Sequence, residues 1–380
     1  MTDYIRFQVE DAQFEMEMEY AKNSSFVVQS IPHDYQVSVK DNGFENFLRN
    51  TVLSSSKHFV LLDANIWKVI FGEIDKCPEN VFLIEALEDN KEIQTVLEFV
   101  NFMQQRGLTK GDNLFVVGGG ITQDIGAFAA ACYKRGVPWT FVPTTLLSMC
   151  DSCIGGKTGI NYHGAKNQLA LFSAPYEVLI FLDALQTLPE QHMLAGLGEI
   201  LKLHATGGRH LVNSYIKMVV QGKVLSPKDL QPLILGSLHV KKLVIEYDEF
   251  EKQTRKVLNY GHTFGHVLES ALQYAIPHGQ AIALGMIIAN RFGCQHGVSD
   301  LSFSNDVNAL CADLVRGIKL PDISEDKMLS LLVQDKKVLG KELSLVVPGR
   351  DAGYWSFLKL KVDLSLVREA LTMLRELEFQ

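Results

Sequence analysis

The chain has 380 residues, 47% of them hydrophobic and 21% charged, with 29 glycines and 11 prolines; that length exceeds one hydrophobic core and predicts two domains. The composition excludes collagen-like, low-complexity and wholly disordered chains. With 36 Lys and Arg against 44 Asp and Glu the formal net charge is -8, which argues against sequence-independent nucleic-acid binding, a task for a net basic face.

The opening MTDYIRFQVEDAQFEMEMEY has no basic start followed by an apolar stretch, so it does not read as a secretory signal. No apolar run approaches the roughly 18–20 residues that span a bilayer, and no membrane partner is expected. Six cysteines (Cys77, Cys132, Cys150, Cys153, Cys294 and Cys311) are too few and too scattered for a disulfide framework. Reduced thiols in a cytoplasm are the economical reading.

Residues 1–30 carry a weak strand-like pattern and no motif. From His33 onward strand-like and helix-like segments alternate. HFVLLDAN (58–65), NVFLIEAL (80–87), NLFVVGGG (113–120), WTFVPTTL (139–146) and YEVLIFLDAL (176–185) are the predicted strands. NKEIQTVLEFVNFMQQRGL and the Ala-rich TQDIGAFAAACYKRG read as helices between them. This alternation predicts an α/β domain with a parallel sheet over residues 1–188, with ligands at the carboxyl ends of its strands. After LPEQ strand signals nearly vanish and helical patterns follow one another, so residues 189–380 are expected to form a mostly α-helical domain.

VVGGGITQD places glycines between a strand and a helix, where backbone approaches a ligand closely and free N–H groups face a pyrophosphate. It lacks the spaced G-x-G-x-x-G of a plain Rossmann turn, and a tight turn without ligand is the competing reading. Glu199 inside a helix, His262 opening another and His278 after a proline form the best metal candidate. Two imidazoles and a carboxylate suit Zn²⁺ in an open catalytic site. Cys150 and Cys153 form a C-x-x-C without a second pair and read as small buried residues. Lys157, Lys166, Lys202, Lys241, Arg255, Lys336 and Lys337 stand beside glycines or candidate ligands. In an acidic chain, such cations suggest a phosphorylated, carboxylated substrate, although each alone would be a solvated surface charge.

Taken in order, E-x-x-K at 88–91, GGGITQD, PTT at 143–145, DSCIGGKTGIN, GAKN, TLPEQ, GLGEILK, DEFEKQTRKVLNYGHTFGH, PHGQA and DKKVLGKELSLVVP resemble the sugar phosphate cyclase family, and within it the 3-dehydroquinate synthases. The match covers roughly residues 58–348. The resemblance implies a dehydroquinate synthase-like fold and a phosphate-eliminating carbon–oxygen lyase of the shikimate pathway to aromatic amino acids, working as a homodimer. It implies NAD at Asp63, Glu88, Lys91, Gly119, Gly120, Asp124, Thr144, Thr145, Lys157, Lys166 and Thr187. It implies Zn²⁺ or Co²⁺ at Glu199, His262 and His278. The sugar-acid phosphate would meet Asp151, Lys157, Asn167, Lys202, Lys241, Arg255, Asn259, His266 and one of Lys336 or Lys337. Arg135 would reach its phosphate from a neighbouring subunit.

The implied reaction converts 3-deoxy-D-arabino-heptulosonate 7-phosphate to 3-dehydroquinate by transient oxidation, phosphate elimination, re-reduction and intramolecular aldol addition. Arg255 and Lys241 suit that carboxylate, and a neutral terminus would leave them buried and unpaired. Three alternatives stay open: a sedoheptulose 7-phosphate cyclase of the valiolone or deoxygadusol type, a metal-dependent alcohol dehydrogenase of the glycerol dehydrogenase type, and an NAD-binding regulator without chemistry. The sequence departs from the family wording at Gln280, at His204, in KNQLALFSAP and in the long N-terminal segment, which suggests a divergent member.

Overall fold

A computed structural model of the chain describes residues 3–53, 58–73, 77–163, 165–219, 226–273, 275–320, 322–334, 338–339 and 342–377. Alternating apolar residues make β1 (Tyr4–Val9) and β2 (Ala12–Glu17) an antiparallel pair that buries Ile5, Phe7, Val9, Phe14 and Met16.

The chain then runs through β3 (Ser25–Val28), β4 (Tyr35–Lys40), α1 (Phe44–Leu53), β5 (His58–Asp63), α2 (Ala64–Phe71) and β6 (Val81–Ile84). It continues with α3 (Ile93–Gln105), β7 (Asn113–Gly118), α4 (Gly120–Cys132), β8 (Trp139–Pro143), the hairpin β9 (Lys157–Tyr162) and β10 (Ala165–Phe172), and β11 (Glu177–Phe181). Seven of these strands form one sheet in the order β3-β4-β11-β8-β7-β5-β6. All its pairings are parallel except β3 with β4. Val60, Leu61, Leu62, Val116, Val117, Phe141 and Val142 are all buried, the continuous apolar signature of strands covered on both faces. The five predicted strands are β5, β6, β7, β8 and β11. β4 was overlooked because YQVSVK alternates polar and apolar residues instead of running apolar.

The remaining elements are α5 (Glu190–Thr206), α6 (Arg209–Met218), α7 (Gln231–Tyr247), α8 (His262–Ala271), α9 (His278–Gln295), α10 (Leu301–Leu314) and α11 (Glu325–Gln334), then β12 (Val338–Leu339), β13 (Glu342–Pro348), β14 (Tyr354–Lys361) and α12 (Leu364–Arg375). Helices dominate this half, but the expected near-absence of strands needs correction. β12, β13 and β14 join β1 and β2 in a five-stranded sheet, ordered β12-β13-β14-β1-β2. β1 pairs with β14 in parallel. The parallel partner lies at the other end of the chain, so no local pattern announces it.

By internal contacts the chain divides into two units. One holds Met1–Tyr20, Glu190–Leu225 and His239–Gln380; the other holds Ala21–Pro189 and Ser226–Leu238. The N-terminal hairpin, read from sequence with the α/β half, thus belongs with the helical half. Among the described residues no helix is long and apolar enough to cross a membrane. None of the six cysteines forms a disulfide.

Candidate functional site

In the helical unit, glycines let three helices touch backbone to backbone. A Cβ on Gly198 of α5 would lie 2.3 Å from the carbonyl oxygen of Gly279 on α9, and one on Gly279 would lie 1.8 Å from that of Ala195. Gly261, at φ +77° and capping α8, leaves a Cβ only 2.6 Å from the Ile282 carbonyl. Only glycine fits either demand. These crossings set Glu199, in the middle of α5, against the first residues of α8 and α9.

His262 and His278 are those first residues. Nε2 of His278 lies 3.2 Å, and Nε2 of His262 3.7 Å, from Oε1 of Glu199. His266, one turn along α8, completes a group in which one ligand atom from each of the three histidines lies within 4.8 Å of the others. The far sides of the two rings face acceptors: His262 Nδ1 is 3.1 Å from the Tyr260 carbonyl, and His278 Nδ1 is 3.1 Å from Oε1 of Glu269. Carbonyls and carboxylates only accept, so each Nδ1 carries a proton, and Nε2 is the ring atom turned toward Glu199, the one a bound cation would take over. Glu199 is 1% exposed, so its charge is met by these rings and by its neighbours and not by solvent. A buried carboxylate beside two imidazole Nε2 atoms is the kind of donor set that a divalent cation takes, displacing ring protons as it binds. Burial pushes the His278 pKa down, but the Glu199 and Glu269 carboxylates outweigh it and hold it up at about 10.

Positive charge is packed nearby. Lys202 Nζ lies 2.5 Å from Oε2 of Glu199, both side chains being almost fully buried. Lys241 on α7 and Arg255 in the 3-10 turn Thr254–Asn259 are buried in the same unit, and that turn packs on α5. Asp248 anchors the segment by accepting from the backbone N–H groups of Lys252, Gln253 and Arg255. Its carboxyl is buried enough to raise its pKa, but those N–H groups and the Arg255 charge outweigh this and hold it below the ordinary value. The Arg255 guanidinium donates to the Glu249 carbonyl. Asn259 donates its amide to Oε1 of Glu251 at 2.7 Å, leaving its carbonyl oxygen to accept.

The α/β unit holds a second polar cluster. Lys91, 6% exposed, donates to Oδ2 of Asp124 at 3.1 Å and Oδ1 of Asn167 at 2.7 Å. Asp124 on α4 also accepts from Thr158 Oγ1 and the Gly159 N–H. Burial nonetheless raises its pKa, against the pull of Lys91 and these donors. Glu88 receives Asn161 Nδ2 at 2.8 Å and has Lys91 and Lys166 within 3.8 and 3.7 Å. Burial works to raise its pKa, and these three residues win and lower it. Asn161 also accepts the backbone N–H of Asn167, which sits at φ +53° where β10 breaks register against β9.

Around this cluster, Gly119 caps α4 and Gly120 begins it. A Cβ on Gly119 would meet Thr145 at 2.9 Å, whereas one on Gly120 would meet only Ser152, at 4.0 Å. Thr144 is buried, its N–H bonded to the Gly118 carbonyl, and Thr145 shares a hydrogen bond with Ser148. Asp63 ends β5 and caps α2; burial raises its pKa against the Asn65 N–H and Lys68. Asp151 lies in a π-helical turn, Ser148–Ser152, which Gln123 ties to α4. Lys157, Thr187 and Arg135 are exposed, Arg135 at φ +61° in the turn after α4.

The structure therefore brings together Glu199, Lys202, His262, His266 and His278 in one unit, and Glu88, Lys91, Asp124, Lys166 and Asn167 in the other. Asn167, assigned by resemblance to substrate, stands with the residues assigned to NAD. Lys336 and Lys337 lie outside the described residues. Sequence reasoning missed Glu269 and Asn161. The i, i+4, i+7 run of His262, His266 and Glu269 on one helix face was the available signal for the first. The departures are structural: Gln280 donates to the Leu314 carbonyl, where a carboxylate would find no donor, and His204 is buried with Nδ1 2.9 Å from the Leu211 carbonyl. Cys150 and Cys153 are buried, as the small-residue reading expects.

Comparison with known proteins adds the following. The families described as 3-dehydroquinate synthase N-terminal and 3-dehydroquinate synthase C-terminal match residues 81–195 and 196–338. A 3-dehydroquinate synthase of Prochlorococcus marinus (strain AS9601) is 31% identical over 323 residues, covering 82% of this chain and 89% of that protein. A 2-deoxy-scyllo-inosose synthase solved with carbaglucose-6-phosphate, NAD+ and Co2+ superposes with a TM-score of 0.78 at 22% identity, covering 91% of this chain and 99% of that one. The 2-epi-5-epi-valiolone synthase of Streptomyces hygroscopicus subsp. jinggangensis 5008, solved with NAD+ and Zn2+, gives 0.73 at 24% identity, covering 92% and 99%. At such identities the two structures share the fold.

Proposed function

Because the chain belongs to the 3-dehydroquinate synthase family, we propose that it cyclises 3-deoxy-D-arabino-heptulosonate 7-phosphate to 3-dehydroquinate with release of phosphate. The observation that carries this reading is the burial of Lys202, Lys241 and Arg255 in the unit that holds the Glu199–histidine set. A substrate with a phosphate at one end and a carboxylate at the other is the chemical complement of such a concentration of buried cations.

The residues present fit both implied cofactors. Glu199, His262 and His278 would hold Zn²⁺ or Co²⁺, Nε2 of both rings lying within 3.7 Å of Oε1 of Glu199. Gly119, Gly120, Thr144, Thr145, Asp63, Asp124, Lys91, Glu88, Lys157, Lys166 and Thr187 would hold NAD, its pyrophosphate at the N-terminus of α4, where a Cβ on Gly120 would meet nothing nearer than Ser152 Oγ at 4.0 Å. When bound, the nicotinamide supplies a reversible hydride acceptor and the metal a Lewis acid for an alcohol oxygen.

The chain's own residues do the rest. Arg255 and Lys241 grip the carboxylate, Arg255 by the planar fork that matches it. The Asn259 carbonyl, its amide held by Glu251, accepts from a ring hydroxyl. In the helical unit, Lys202 and His266 would meet the ester. Their fixed charges stabilise the phosphate dianion as its C–O bond breaks. Arg135 would reach that phosphate from the other copy in a homodimer, and the enzyme would work in the cytoplasm, where its thiols stay free.

A carboxylate selects this substrate over sedoheptulose 7-phosphate, the substrate of the alternative reading. A balance of products tests the reaction class. With substoichiometric NAD+, many phosphates released per NAD+ without NADH accumulation is the expected result. NADH formed in proportion to a small alcohol, with no phosphate released, would establish a dehydrogenase instead.

A further inference from the structure

Glu269 is a buried carboxylate, 7% exposed, on the face of α8 that carries His262 and His266. Its Oε1 lies 3.1 Å from Nδ1 of His278, and Nε2 of the same ring lies 3.2 Å from Oε1 of Glu199. His278 is thus clamped between two carboxylates on two helices, one at each ring nitrogen. We infer that Glu269 is a positioning residue for the metal site: it fixes the Nδ1–H tautomer of His278 and makes its Nε2 a stronger donor to a divalent cation. This assignment rests on the metal reading of Glu199, His262 and His278.

Three observations favour this role over a merely structural one. First, a carboxylate buried on a helix flank stabilises the fold less than an apolar side chain of its size would. Second, His278 opens α9, with Pro277 before it as the N-cap, so its ring is steered by what its far nitrogen meets and not by a preceding helical turn. Third, the other histidine in the set is fixed in the same sense by a different acceptor, the Tyr260 carbonyl. Both rings therefore point Nε2 at the same carboxylate, and the group behind His278 is an ionisable one. An ionised partner behind a ligating imidazole raises ring basicity as well as setting its orientation.

The test is a Co²⁺ titration of the purified full-length protein, followed by visible d–d absorption and equilibrium binding, for the wild type, Glu269→Gln and Glu269→Ala. Thermal unfolding of each metal-free protein serves as a fold check. Glu269→Gln keeps an acceptor but loses the charge, and should weaken Co²⁺ about 10-fold; Glu269→Ala, which frees the ring, should weaken it about 100-fold. The alanine variant should also show an altered d–d spectrum. Unaltered affinity and spectrum in Glu269→Gln, with wild-type unfolding, would overturn the assignment even if the alanine variant failed to fold. A wild type that takes up no Co²⁺ would overturn the metal reading itself, and this inference with it.

Discussion

Nε2 of His278 lies 3.2 Å from Oε1 of Glu199, although the two residues stand on α9 and α5. Their meeting depends on a glycine one position away. A Cβ on Gly279 would fall 1.8 Å from the Ala195 carbonyl oxygen, a backbone atom that cannot swing aside. Gly279→Ala should force α5 and α9 apart, costing about 3 kcal/mol, and should weaken Co²⁺ binding with it. Urea unfolding and metal titration read the two effects. A variant as stable as wild type would show that the crossing is not tight.

The Glu199–Lys202 pair is buried on both sides. Glu199→Gln removes the carboxylate that Lys202 faces at 2.5 Å, and breaking a buried charge pair typically costs about 3–5 kcal/mol. The metal-free variant should unfold at correspondingly lower denaturant and take up no metal. Loss of metal with unchanged stability would mean that Lys202 finds another partner.

Gly119 and Gly120 adjoin in sequence but differ in what surrounds them. A methyl group on Gly120 meets nothing nearer than Ser152 Oγ at 4.0 Å, and its backbone is not in the left-handed region that would demand glycine. Gly120→Ala should therefore keep or raise the melting temperature while lowering NAD+ affinity about tenfold, because the space it fills is the cofactor's. Gly119→Ala, pressed against Thr145 at 2.9 Å, should lose stability as well. Calorimetric NAD+ titration beside thermal unfolding separates these outcomes. Unchanged NAD+ affinity in Gly120→Ala would move the pyrophosphate elsewhere.

Asp248 gives a dependence on acid. Its carboxylate accepts three backbone N–H groups of the segment leading to Arg255, and its folded pKa is depressed. A depressed carboxyl contributes stability above its unfolded value of about 3.9, and that contribution disappears as pH falls through the lower folded value. The melting temperature of the wild type should decline more steeply below about pH 4 than that of Asp248→Asn. Parallel decline in the two proteins would show that Asp248 adds nothing to the pH response. At neutral pH the variant should raise KM for the carboxylated substrate, since the Arg255 turn loses its anchor.

These sites were legible in the sequence to different degrees. The apolar runs ending in Asp63 and in the glycines at 118–120 marked β5 and β7 because both faces of those strands are covered. Glu199, His262 and His278 were visible as chemical types, but nothing local revealed that Gly198, Gly261 and Gly279 bring their helices into contact. Glu269 went unnoticed because a lone glutamate in a helix looks like a solvated charge until His278 is seen beside it. The pairing of β1 with β14 joins the two ends of the chain, a relation no window of sequence contains. The contact of Asn167 with Lys91 is hidden for a similar reason. Its left-handed backbone at the β10 irregularity turns it toward Lys91, and one-dimensional spacing carries no sign of that turn.

The central claim is that buried Arg255 and Lys241 make this a cyclase for a carboxylated sugar phosphate. Phosphate release should be measured from 3-deoxy-D-arabino-heptulosonate 7-phosphate and from sedoheptulose 7-phosphate, with wild type and Arg255→Ala. Wild type should turn over the carboxylated sugar, and Arg255→Ala should lose about 3 kcal/mol of its kcat/KM, on the scale of a broken buried charge pair. Turnover of sedoheptulose 7-phosphate alone, or a kcat/KM indifferent to Arg255, would contradict the claim.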